Sequence, residues 1–228
     1  MKDLLEKILT YLPGYIPDLV GIVSNPRRFI AGRNQGSERN LIKAITFLGI
    51  SISISAILQA PIAISGKDFA TDAASHAILY ILFVIIFSAI LRFSWRIVGG
   101  KVDYYQFLIT SSYYAGVITI GLAIAALCFI GVLKVFYHES YIFFMNIAET
   151  SNFHDVIVTK PDILWGILIA SLVFLTLILP ALMWGFIGWG VFCQLNQLSR
   201  FRSYIALFLT FVFSLLVIGI EMMIALAI

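Results

Sequence analysis

The chain has 228 residues, of which 61% are hydrophobic and only 12% charged, with a mean hydropathy of +1.00. A soluble domain of this size carries about twice that charge on its surface, so a water-facing globular fold is excluded. The formal charge of +3 means little as a total, and nucleic acid is not an expected partner.

Residues 1–43 read as a cytoplasmic or interfacial segment ahead of a transmembrane domain, 44–228. Leu5, Ile8, Leu9 and Leu12 share a helical face while Lys2, Asp3, Glu6 and Lys7 lie elsewhere, which predicts an amphipathic helix over 2–12 stopped by Pro13-Gly14. Its apolar face has two candidate resting places, the headgroup boundary and the ends of the protein's own spans. Asn25 as N-cap and Pro26 at the first helical position start a second short helix. There Arg27 and Arg28 are placed to reach lipid phosphates. Residues 32–40 are polar and read as a loop.

Five apolar runs of membrane length follow, over about 44–64, 73–95, 107–133, 163–193 and 204–228. The class is therefore all-α and polytopic, with interfacial amphipathic helices at the N-terminus. Span one carries Ser51, Ser55 and Gln59 at every fourth residue, a polar stripe that normally faces other helices. Span two has a nearly featureless core and reads as lipid-facing. Its end is marked by Arg92, Trp95 and Arg96, with Lys101 after the Gly99-Gly100 turn; these are the expected interface contacts, arginines snorkelling and tryptophan anchoring. Span three holds the small-residue pairs Ser112/Gly116 and Gly121/Ala125. Residues 134–162 read as a long outer connection, and Pro180 as a kink in span four.

Twelve of the fifteen Lys and Arg fall before span one, between spans two and three, or between four and five. That bias predicts a cytoplasmic N-terminus and an outward C-terminus, with anionic headgroups of the cytoplasmic leaflet as partners. Cys128 and Cys193 lie in apolar runs and suggest neither a disulfide nor a metal site.

Asn25-Pro26-Arg27-Arg28-Phe29, then Lys43-Ala44-Ile45-Thr46-Phe47 at the mouth of span one, resemble the bacterial branch of the Yip1 domain family. So do Trp95, Gly99-Gly100-Lys101, the aromatic entry Tyr104-Tyr105-Gln106-Phe107, and Tyr113-Tyr114-Ala115-Gly116 in span three. The resemblance covers about residues 25–120 by motif and the remainder by span count. It implies a five-span integral protein of the bacterial inner membrane. The Asp-Leu-Tyr-Gly-Pro signature of eukaryotic members is absent, so their link to small GTPases is not implied.

Catalytic signatures are missing: no nucleophile elbow, glycine-rich phosphate loop or HExxH occurs, and an enzyme is not expected. No cofactor is expected either. His138-Glu139 and His154-Asp155 lack the tight spacing of metal ligands and read as a solvated loop. Two functions remain. One is a non-catalytic scaffold or adaptor that organises lipid, a membrane-protein partner or its own copies. The other is a transporter or channel for a small solute or ion. For the latter, Glu221, Gln59 and His76, with Ser55 on the same stripe, form the candidate intramembrane site, because an acid at that depth calls for a partner.

Overall fold

The computed structural model describes residues 2–34, 37–60, 69–145 and 161–227; the side chains of 2–11, 69–73, 161 and 218–227 are outside that description. Eight helices make up the described residues: α1 (Lys2–Ser24), α2 (Pro26–Arg33), α3 (Glu38–Gln59), α4 (Phe69–Ile97), α5 (Tyr104–Phe136), α6 (His138–Met145), α7 (Pro161–Asn196) and α8 (Arg200–Ala227). Of these, α3, α4, α5, α7 and α8 are long and apolar enough to cross a membrane. The protein is thus an all-α polytopic membrane protein, and its five spans fall on the five apolar runs of the sequence.

The hub is α5. It packs on α3, α7 and α4, and its first half is buried on every side from Phe107 to Tyr114. Aromatic rings fill that centre. Phe107 stacks on Phe192 at 5.4 Å, Tyr114 lies 4.7 Å from Trp184, and Tyr113 is 5.0 Å from both Phe29 and Phe47. Such pairs add about 0.5–1.5 kcal/mol each beyond the area they bury. The Ser112/Gly116 pair does bring helices together, since a Cβ on Gly116 would stand 2.7 Å from the Phe47 ring and 2.8 Å from Ser51 Oγ. Gly121 has open space on its side.

Trp95 departs from the interface role expected of it. It is fully buried in the main core, its ring 5.2 Å from that of Trp189 on α7. A ring without exposed surface touches no lipid. The loop that follows closes the end of the helix: Gly100 N–H bonds Trp95 O at 2.8 Å, and Gly99 takes a φ of +99°.

The chain also runs helically through Pro13, against the stop expected at Pro13-Gly14. A proline inside a helix costs about 3 kcal/mol. Here α1 carries both Pro13 and Pro17, and the face formed by Leu12, Tyr15, Leu19 and Ile22 enters the main core, which offsets that cost. The amphipathic face expected over 2–12 consists mostly of side chains outside the description. Pro180, the expected kink, lies within α7, which runs as one helix from Pro161 to Asn196. The connection after span three is also more ordered than a loop at its start. There α6 folds back on α5 and α7, with Ser140 Oγ donating to Ile163 O at 3.0 Å and Phe144 packing 5.1 Å from Phe129.

The last two spans part company. Trp189 Nε1 donates to Ser203 Oγ at 2.7 Å and Cys193 Sγ shares that hydroxyl at the same distance, so α7 and α8 meet at the loop joining them. Beyond it α8 packs on α4 instead. Arg202 lies beside Gly99 while Phe213 packs on Phe93 at 5.3 Å.

Candidate functional site beneath the N-terminal hairpin

The N-terminal segment does not lie apart from the spans. Asn25 accepts from Arg28 N–H at 3.1 Å and Pro26 follows, so α1 ends and α2 begins across one residue. Gly21 lets the two helices close: a Cβ there would stand 2.8 Å from the Phe29 ring. The resulting hairpin sits against α3, α5 and α7. Ile22 and Ile30 are fully buried in the same core as Phe47, Trp95 and Tyr113. Residues 12–34 thus pack on the protein itself, whereas the side chains of 2–11, whose resting place the sequence left open, lie outside the described residues.

Polar groups come in with it. Arg33 Nη2 pairs with Asp18 Oδ1 at 2.6 Å, joining the two helices, and Tyr113 OH donates to the other carboxylate oxygen at 3.4 Å. Tyr15 OH and Ser51 Oγ share a buried hydrogen bond of 3.0 Å. Burial pushes the Tyr15 hydroxyl above the usual phenol range, with the Ser51 bond acting the other way, so it stays protonated at neutral pH. At the far end of α2, Asn34 Nδ2 donates to Thr110 Oγ1 at 3.2 Å, and Gln106 Nε2 donates to Asn34 O at 3.0 Å. The last carbonyls of α2 thus find a partner on α5, as helix ends require.

Tyr113 lies nine residues into α5, about 13 Å from its start. Asp18 and Arg33 form a part-buried ion pair against that first half of α5. A carboxylate is affordable there because a guanidinium and a phenol both face it. The arrangement can hold the hairpin in place.

The residues expected from the sequence are placed differently. Ser55 is buried and accepts from Gln59 Nε2 at 3.2 Å, so those two meet within one helix, with Gln59 exposed. His76 is exposed on α4 and has an interaction of its own. Glu221 belongs to α8, but its side chain lies outside the described residues, and so does any meeting of Glu221 with Gln59 and His76. Among the expected interface residues, Arg28, Arg96 and Lys101 are exposed, and Arg92 is half-buried with its Nε enclosed. Arg27 is exposed but reaches inward across α7, where a Cβ on Gly190 would stand 2.7 Å from its Nη2. His154-Asp155 lie outside the described residues, whereas His138 and Glu139 open α6.

Asp18, Arg33, Tyr15, Tyr113 and Asn34 were not singled out from the sequence. One signal was present: Leu12, Tyr15, Leu19 and Ile22 keep helical spacing straight through Pro13 and Pro17, and Asp18 borders that face. No family model matches the chain, and neither a curated protein nor a solved structure matches it.

Proposed function

We propose that this protein is a non-catalytic membrane scaffold of the Yip1 type, seated in a bacterial inner membrane with its N-terminus in the cytoplasm. The observation that carries this reading is a contrast between inside and outside. The interior is filled by interlocked aromatic rings and plugged by the chain's own α1–α2 hairpin. The outer faces of α4, α7 and α8 present large apolar side chains in long exposed rows, among them Phe83, Leu172, Phe186, Phe208 and Phe211. Such faces suit lipid and other transmembrane helices. The basic end, with Arg96, Lys101, Arg200 and Arg202, suits the anionic headgroups of the cytoplasmic leaflet.

Cross-linking in intact membranes, from photoreactive residues at Phe186 and Phe208, tests this. A defined integral membrane protein, or a second copy of this chain, is the expected product. Capture of lipid alone from both faces sinks the scaffold reading.

A second reading has one specific observation in its favour, the part-buried Asp18–Arg33 pair against α5. Under it, the hairpin carries an ionisable group for transport of a proton or small cation, and Glu221 is a further candidate. Replacing Asp18 by Asn and Glu221 by Gln, each compared with wild type for cation-dependent flux in proteoliposomes, decides between the two. A scaffold shows no flux in any of the three.

A further inference from the structure

Arg27 and Arg33 lie on the same short helix and differ in one respect. Arg33 is neutralised by Asp18, whereas among the described residues Arg27 makes no ion pair. Its guanidinium rests on α7 at Gly190, six residues or about 9 Å before that helix ends at Asn196. That is the basic end of the bundle, at the level where headgroup phosphates meet acyl chains. An arginine free of an ion pair at that level attracts an anionic headgroup.

Three further features agree. The first turn of α2 begins at Pro26, so the positive end of its peptide dipoles lies beside Arg27. The hydroxyl of Tyr114, an α5 residue only 7% exposed whose ring lies against Gly188 of α7, is enclosed without a hydrogen-bond partner. Below Gly190, at the spacing of one helical face, come Phe186, Met183 and Leu179, exposed to 73%, 69% and 54%. Cation above and apolar stripe below match a lipid, not a soluble anion.

We propose that Arg27 and the Gly190 flank of α7 form a binding site for one anionic glycerophospholipid, with its phosphate on the guanidinium and one acyl chain along Phe186, Met183 and Leu179. Gly190 is the specificity element, because any side chain there occupies the bed of the guanidinium. The site deepens the scaffold reading by naming the lipid class it recognises. It is measured on isolated protein, so its failure and a failure of partner cross-linking are separate results.

The test is native mass spectrometry of the delipidated full chain titrated with phosphatidylglycerol, phosphatidylcholine or inorganic phosphate. Wild type is expected to hold one phosphatidylglycerol at least tenfold more tightly than phosphatidylcholine. Arg27→Gln is expected to lose that preference. Gly190→Leu is expected to lose it too while keeping Arg27; the three atoms nearest a Cβ there all belong to the mobile end of that arginine, so helicity and melting temperature should stay near wild type. Equal retention of the two lipids by wild type overturns the proposal, as does undiminished preference in Gly190→Leu. Displacement of phosphatidylglycerol by millimolar inorganic phosphate would make the site one for a free anion instead.

Discussion

Asp18 on α1 and Arg33 on α2 close a 2.6 Å ion pair that Tyr113 of α5 completes from the far side, so one carboxylate ties the N-terminal hairpin to itself and to the hub helix. The side chains are 14% and 35% exposed, so the pair is only partly screened. Removing one partner of a fully buried pair costs about 3–5 kcal/mol, and about 1–3 kcal/mol is expected here. Asp18→Asn should therefore speed proteolysis between Ser24 and Ser37 before the bundle itself melts. Arg33→Gln should do the same, and the double variant should be little worse than either single one. Additive losses would show that the two residues act through separate contacts.

Gly116 is where α3 and α5 touch. A methyl group there meets the Phe47 ring and Ser51 Oγ, and behind Ser51 stands the Tyr15 hydroxyl. Overpacking a close contact costs about 1–3 kcal/mol. Gly116→Val should lower the melting temperature in detergent and expose Tyr15 to solvent, read as increased hydrogen exchange in α1. Gly121→Val, with open space at its position, should change neither.

Trp95 is expected to behave as a core residue. Trp95→Ala should cost about 3–5 kcal/mol, the range for a large buried ring, whereas Trp95→Phe should keep most of the stability. An interfacial anchor would tolerate both changes, so chemical or thermal unfolding of the two variants distinguishes the roles directly.

Orientation is tested by impermeant thiol labelling in a background with Cys128 and Cys193 replaced by serine. Ser203 is an unsuitable probe, since it is buried and holds Trp189 and Cys193. Ser37 and Ser199 are exposed and serve instead. With the positive charge bias, cysteines at both positions should react only after permeabilisation, and one at Ser151 should react in intact cells. Reaction at Ser199 in intact cells would reverse the proposed topology.

The class, the number of spans and their approximate limits were all legible in the sequence, because a bilayer imposes its thickness on each helix separately and no distant residue is needed to see it. The small-residue contact at Gly116 was legible for a similar reason: it is written in one helix's own spacing. Where α1 ends, where Trp95 points and which charges enter the bundle depended on distant partners. The helix continues through Pro13 because Tyr15 and Ile22 find a core built from α3, α5 and α7. Trp95 is buried because α7, nearly a hundred residues on, brings Trp189 to it. Asp18 is part-buried against α5 because Arg33 and Tyr113 meet it there. A residue's hydropathy states what its burial costs; only the packed chain supplies the partners that offset the cost.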